Sequence, residues 1–429
     1  AAVRAQLDDS RDVALVHELV TGTLRWQGAL DGVLAPLCRV SLARLDVEVL
    51  TSLRLGAYQL LYLDRVPASA IVDDAVALVR SAKKASATGM VNAVLRRIAR
   101  GERGPTPPDA DDAEMLARVG SHPAWLVRRW LARRSRSDVE AWLAFDNTAP
   151  PLTLRVNPLV ASSVAAVVEA LAEIGVITEP SRHAPLGLVV RRGNPIGSPS
   201  LEDGSCFLQD EGSQVAALLA PVAPGARVLD LCAAPGGKTL AYAAAVGAAG
   251  RVVATDIRAQ RVRLLADTLA RGHAARAAVV HLSATGTLPF AAAFDVVIVD
   301  APCSGLGTLR RDPDIKWRRS AADLEGFAAR QLDLLQRAAA AVRPGGSLVY
   351  TTCSSEPDEN GEVVARFLAA TPAFVQLRAD AGARGALLAP YTDAAGFLVT
   401  DPVRHGLEAY FGAVLNREAV GRLASPALQ

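Results

Sequence analysis

Five apolar runs of strand length, RVLDLCA (227–233), RVVATDI (251–257), AAVVHL (277–282), FDVVIVDAP (294–302) and GSLVYTTCS (346–354), alternate with helical stretches through the second half of the chain. Each run is nearly continuous in apolar residues, so each strand must be buried on both faces. Strands of that kind, joined by helices, form a parallel sheet with helices packed on either side. In such a sheet a ligand lies beyond the carboxyl ends of the strands. Asp256, Asp300, Cys303 and Cys353 all fall at those ends.

The first quarter reads differently. From Val13 to Arg100 apolar residues recur at three- and four-residue spacing, as in VALVHELVTGTLRWQGALDGVLA and VLTSLRLGAYQLLYL, which predicts a helical bundle. GERGPTPPDADDAE (101–114) has no periodicity and reads as a linker. A helical stretch follows with Arg128, Arg129, Arg133, Arg134 and Arg136, equally readable as a solvated face or a phosphate contact. Between PPLTLRVNPL and GLVVRRGNP the chain reads strand, helix, strand: a small α+β module. The expected organisation is a helical domain at 1–104, a linker with connecting helices at 105–145, the small module at 146–205, and an α/β domain at 206–429.

Composition narrows the function classes. With 51% hydrophobic and 21% charged residues over 429 positions, the chain has the make-up of a soluble globular protein, and no apolar run has membrane-spanning length. The first residues (RAQLDDSRD) are charged rather than signal-like, so no membrane association and a cytoplasmic location are expected. Net charge is only +2, so a polyanion would have to meet local basic patches. Cysteines 38, 206, 232, 303 and 353 are never closer than 26 residues, against a CxxC zinc site or a disulfide framework; free thiols and no metal are expected.

VLDLCAAPGGKT (228–239) reads as strand, tight turn and helix start. A GxxxxGK[ST] phosphate loop would require glycine at Cys232, and a GxGxxG dinucleotide motif is absent. S-adenosylmethionine fits better, since its cationic methionine end and neutral ribose call for close backbone approach and carboxylates rather than a phosphate cradle. Asp256, 19 residues beyond Gly237, is placed to accept from ribose hydroxyls.

The two strand-end cysteines, each followed by serine, suit methyl transfer to carbon 5 of a pyrimidine. That carbon is barely nucleophilic until a thiolate adds at C6 and turns the ring into an enamine. The adduct must then lose the C5 proton and expel the thiol, which calls for a base and for a donor near N3. Cys303, Cys353 and Asp300 supply such groups, and the chemistry alone does not rank the thiols. The [DN]PP[YF] strand end of amino-group methyltransferases is not matched by DAPC.

LQDEGSQ, LDLCAAPGGKT, VVIVDAPCSGLGTLRRDPDIKW and LVYTTCSSEPDENGEVV, in this order, resemble the RNA cytosine-C5 methyltransferase family, and LVTGTLRWQGALD, LRLGAYQLLYLDRVPASAIVDDAV and GMVNAVLRRIAR resemble the NusB-like helical domain. Their combination is similar to the bacterial enzymes that modify 16S ribosomal RNA. The resemblance implies a Rossmann-like methyltransferase domain with a mostly parallel seven-stranded sheet, preceded by an all-α NusB-like RNA-binding domain and a small RRM-like module.

It also implies roles. Cys353 would attack C6 and Cys303 would assist release. Cys232, Ala233, Ala234, Pro235, Gly236, Gly237 and Lys238 would hold the methionine end of S-adenosylmethionine, Asp256 the ribose, and Asp300 would lie near both cofactor and base. Arg310, Arg311 and Lys316 would meet RNA phosphate. Where the family carries Asp after the third strand, this chain has Ser283, a weaker acceptor for the adenine amino group. Glu408 stands where the family favours Asp. The function expected is methylation of one 16S rRNA cytosine by a monomer. The alternatives are a noncatalytic RNA-binding or ribosome-assembly factor and the same chemistry on tRNA.

Overall fold

The computed structural model describes residues 9–103 and 111–419, so the central part of the linker read at 101–114 lies outside the described residues. The chain divides into two compact units, one of residues 1–149 with 309–321, the other of 150–308 with 322–429.

The first unit is helical. Helices Ser10–Arg25, Gln27–Leu34, Val47–Tyr62, Ala68–Ser81 and Thr88–Ala99 enclose a core that includes Leu30, Leu34, Leu53, Val91 and Leu95. The periodic run that reads as one helix from Val13 is broken at Trp26 (φ −100°, ψ 9°), where one helix is capped and the next begins. Asp112–Val119, Ala124–Leu131 and Arg136–Asp146 were expected to be connecting helices, but they are built into this same unit, with Trp130 and Trp142 buried and their rings 5.0 Å apart. Asp111 and Ser135 cap two of them by accepting from Glu114 N and Asp138 N. Arg128 pairs with Asp111 and Glu114, and Arg136 with Asp112 and Glu140. For these two arginines the structure favours the solvated face.

Segment 309–321 belongs to the helical unit and corrects one expectation. Lys316 does not present its charge to a ligand: it is 1% exposed, and its ammonium donates to Asn147 Oδ1 (2.8 Å), Ser121 O (3.3 Å) and Arg25 O (3.4 Å). The neighbouring Trp317 Nε1 donates to Leu24 O at 2.6 Å. An ammonium enclosed by three protein oxygens is a structural fastening. Burial also lowers its pKa to about 7.

The second unit begins with the small module. Strands β1 (Thr153–Val156), β2 (Ile177–Pro180), β3 (Gly187–Arg192) and β4 (Cys206–Leu208) form an antiparallel sheet in the order β2-β3-β1-β4, with helix Val164–Glu173 packed on it through Val167 and Leu171. The fourth strand carries the module past residue 205, and Cys206 is one of its core side chains.

The main sheet contains β5 (Arg227–Leu231), β6 (Arg251–Asp256), β7 (Ala277–His281), β8 (Phe294–Asp300), β9 (Val342–Thr352), β10 (Phe374–Leu377), β11 (Leu398–Val399) and β12 (Phe411–Arg417). Seven strands run in the order β10-β12-β9-β8-β5-β6-β7, with the short β11 paired to β12. The pairings from β7 across to β9 are parallel, and β12 is antiparallel to both neighbours. Val228, Ala254 and Ile298 enter one core, while Leu229, Leu231, Val297 and Val299 enter the other. Successive residues of a strand point to opposite faces, so a strand with two cores needs an unbroken apolar run. Strand order reverses between β5 and β8, and the crevice at such a reversal is where ligands bind.

Lys316→Met leaves three buried acceptors without their donor and is expected to lower the stability of the protein by about 2–4 kcal/mol in urea unfolding. The slope of log RNA affinity against log salt should stay unchanged, whereas loss of a phosphate contact would reduce it by about 1.

Candidate active site

The chain leaves β5 through a turn that only particular residues permit. Cys232 has φ +60° and Gly236 φ +105°, and the Ala234–Pro235 peptide is cis. A Cβ on Gly236 would lie 3.0 Å from Leu265 Cδ1 and 3.2 Å from Thr268 Cγ2, so both the backbone angle and the packing require glycine. Helix Gly237–Val246 starts directly after it, with its first N–H groups at the strand ends. Ala233 N donates to Thr255 O (2.8 Å). Arg261 donates to the Ala234 carbonyl and lies 3.3 Å from Asp256 Oδ2, which ties the turn to the end of β6.

Carboxylates converge on this turn. The half-buried Cys232 thiol is pushed up to about 12, first by desolvation and then by Asp300, Asp256 and Asp230. Asp256 is buried and accepts from Arg258 N at 3.0 Å. Asp300 receives Lys238 Nζ (2.7 Å) on one oxygen and Thr351 Oγ1 (2.8 Å) on the other. Lys238 also sits 5.8 Å from the centroid of the Tyr410 ring. With its ammonium held by Asp300, Lys238 is not disposed as a phosphate-binding lysine, in keeping with the missing glycine at 232. A turn with close backbone access, a helix start and three carboxylates suits a cationic sulfonium ligand and repels a polyphosphate.

Cys303 and Cys353 follow the ends of β8 and β9. These strands pair in parallel with Asp300 opposite Thr351, and the two sulfurs lie 3.3 Å apart. The Cys303 thiol is held well above its ordinary range by its hydrogen bond to Cys353, by burial, and by the charges of Cys353 and Glu359. Burial lowers the pKa of the Lys238 ammonium, but Asp300, and after it the charges of Cys353 and Asp230, outweigh that and hold it above its ordinary value. Gly307 N donates to Cys353 O at 2.9 Å, and a Cβ at Gly307 would fall 2.1 Å from Ala409 O and 2.8 Å from Cys353 O. The glycine of the PCSGLG run therefore lets the two cysteine loops approach.

The remaining expected residues are each placed as follows. Leu282 N donates to Asp256 O at 3.0 Å, which leaves Ser283 exposed just past the ends of β6 and β7. Arg310 and Arg311 are half-buried in the helical unit, where Arg310 donates to Ala149 O at 3.0 Å and stacks 4.4 Å from the centre of the Phe145 ring. Glu408 is buried. Among the described residues no group of three or more His, Cys, Asp or Glu could hold a metal ion, and no helix is long and apolar enough to cross a membrane.

Several residues of the site were not singled out from the sequence: Asp230, Thr239, Arg261, Thr351 and Glu359. Asp230 carries the clearest signal, as a carboxylate inside an otherwise apolar strand that must be buried. It is 1% exposed, accepts from Thr239 Oγ1 at 2.6 Å, and burial pushes it up to about 7. A carboxyl raised in the folded state stabilises the fold at low pH and loses that contribution as pH rises from about 4 to about 7. Asp230→Asn should therefore abolish a loss on the order of 4 kcal/mol across that window, measured by urea unfolding at a series of pH values.

Comparison with known proteins agrees with this architecture. Residues 216–415 match the family model described as 16S rRNA methyltransferase RsmB/F, residues 2–100 the NusB family, and residues 122–197 the ferredoxin-like domain of RsmF/B-like methyltransferases. Ribosomal RNA small subunit methyltransferase B of Pseudomonas putida is 37% identical over 392 residues, covering 90% of this chain and 88% of its own. The enzyme of the same name from Pasteurella multocida is 33% identical over 370 residues, covering 84% and 80%. Among solved structures, PH0851 superposes with a TM-score of 0.81 at 26% identity, covering 96% of this chain and 91% of its own. With this identity spread over nearly the whole length and all three domain models matched in order, the chain belongs to the RsmB/F family of 16S ribosomal RNA methyltransferases and carries an N-terminal NusB-family domain.

Proposed function

We propose that this S-adenosylmethionine-dependent RNA methyltransferase acts on carbon 5 of a cytosine in small-subunit ribosomal RNA, through a covalent adduct between Cys353 and C6. The observation that carries this reading is the pair of thiols 3.3 Å apart at the ends of adjacent strands, with the Asp300 carboxylate on the same edge. Bound S-adenosylmethionine supplies an electrophilic methyl group. The residues fitted to hold it are the backbone of Cys232–Lys238 for the methionine end, Asp256 for the ribose, Asp300 beside the donor, and Ser283 for the adenine.

The hydrogen bond to Cys353, burial and the charges of Cys353 and Glu359 keep the proton on Cys303, which suits it to a step other than nucleophilic attack. Addition of the Cys353 sulfur to C6 raises electron density at C5. Asp300, oriented by Lys238 and Thr351, serves the N3 edge of the base. After methylation the C5 proton must pass to water or another base while the C6–S electron pair returns to the Cys353 sulfur, and Cys303, whose thiol contacts Cys353, is placed to hydrogen-bond that departing sulfur and so assist the elimination. The scheme calls for no metal ion, and one copy of the chain carries every group it names. The target cytosine has to be unstacked, because C5 and C6 are shielded within a paired helix. The helical domain, the small module, and Arg310 and Arg311 would hold the surrounding RNA. Such a substrate implies a cytoplasmic protein.

The test combines cysteine variants with unmodified 16S rRNA and labelled S-adenosylmethionine. Cys353→Ala should lose methyl transfer by at least about 10³-fold and form no denaturant-resistant RNA adduct, while Cys303→Ala should accumulate that adduct. Methylation by Cys353→Ala would exclude the assigned nucleophile. A wild-type protein that methylates no RNA would point to an assembly factor, and one that methylates only tRNA would move the substrate assignment.

A further inference from the structure

Glu359, in the SSEPDEN stretch, is 0% exposed, and its only part in the chemistry above is its field at Cys303. Its carboxylate is a hub for neutral donors. Oε1 accepts from Ser304 N (2.8 Å) and Gln331 Nε2 (2.9 Å), and Oε2 from Ser354 Oγ (2.6 Å) and Ser304 Oγ. Ser304 and Ser354 are the residues directly after Cys303 and Cys353, and their hydroxyls also lie 3.2 Å from each other. One carboxylate thus bonds to both cysteine loops at the residue following each thiol.

The hub is itself immobilised. Tyr350 OH donates to Glu359 O (2.5 Å), Gln331 Nε2 reaches Pro302 O (3.1 Å), and Asn360 donates to Ser354 O (2.9 Å) while accepting from Thr352 Oγ1 (2.6 Å). Burying a carboxylate is costly, and four hydrogen bonds offset that cost at a site where apolar packing would serve stability at least as well. What an apolar residue could not do is fix two separate loops to one another with directional bonds. A nucleophile and its elimination partner need that fixation, since a displacement of about 1 Å can cost on the order of 10²-fold in rate.

We propose that Glu359 is a positioning residue that locks the Cys303 and Cys353 loops together and so sets the distance between the two thiols. The inference rests on the two-thiol reading above for its catalytic consequence, but the geometry can be read without RNA. Diamide, an azodicarboxamide oxidant, takes up two hydrogens to become a hydrazine as two thiols join in a disulfide. The rate at which it forms the Cys303–Cys353 disulfide, followed by peptide mass mapping, therefore reports thiol alignment in the free protein.

Three variants separate reach from charge. Glu359→Asp keeps the charge but shortens the side chain by one methylene. Glu359→Gln keeps the reach, and the two serine hydroxyls can turn to accept from its amide. Ser304→Ala/Ser354→Ala removes both hydroxyl links while leaving Glu359 in place. The expected result is a fall of about tenfold or more in both disulfide formation and kcat for Glu359→Asp and for the double serine variant, with KM for S-adenosylmethionine within about threefold. Glu359→Gln, which keeps the reach, should form the disulfide no more than about threefold more slowly than the unmutated protein. Thermal melting identifies any variant that fails to fold, and the double serine variant then decides. Wild-type disulfide formation in both Glu359→Asp and the double serine variant overturns the proposal, as does a Glu359→Gln defect larger than that of Glu359→Asp. If disulfide formation falls as expected while the unmutated protein methylates no RNA, the positioning role stands and the catalytic reading fails.

Discussion

The parallel pairing of β8 with β9 is the constraint on which the site depends. It sets Asp300 opposite Thr351, so that two cysteines separated by 50 positions emerge side by side at one sheet edge with their sulfurs 3.3 Å apart. The pairing is held by cores on both faces: Val297 and Val299 pack with Leu348 and Tyr350 on one side, Ile298 with Val349 on the other. A slip of one residue would turn a strand's side chains to the opposite face, so the apolar cores also protect the register that brings the two thiols together. Polar residues can then collect where the strands end, because nothing beyond the sheet edge demands apolar side chains.

The same edge sorts charge. Asp230, Asp256 and Asp300 gather around the turn after β5, while Lys238 ties one of them and lends its field to Cys353. Glu359 bonds to the residue after each thiol, and its charge helps keep the proton on Cys303. Two chemically identical side chains thereby acquire different environments.

The helical unit shows how a motif position can mislead. Lys316 follows the cysteine motif closely in sequence, and a lysine there reads naturally as a phosphate contact. Its surroundings decide otherwise, since the oxygens of Arg25, Ser121 and Asn147 come from distant parts of the chain and enclose the ammonium. Arg310 and Arg311, a few residues earlier in the same segment, stay half-buried and keep the candidate role in RNA binding.

The order of apolar runs, the helical periodicity and the CAAPGGK turn with the two cysteine motifs were legible in the sequence as a mostly parallel sheet, a helical N-terminal part and a methyltransferase. These features are local: a run buried on both faces, a glycine forced to positive φ and a strand-end thiol each leave a mark in a few consecutive residues. Only the tertiary structure decided which side chains meet. Glu359 reads as one more acid in an acidic loop until Ser304 and Gln331 are brought to it, and Asp230 acquires its raised pKa only when the sheet is closed over it. Hydrogen bonding, field and desolvation depend on neighbours distant in sequence. Their partners therefore become visible only after strand pairing and packing have brought the chain together.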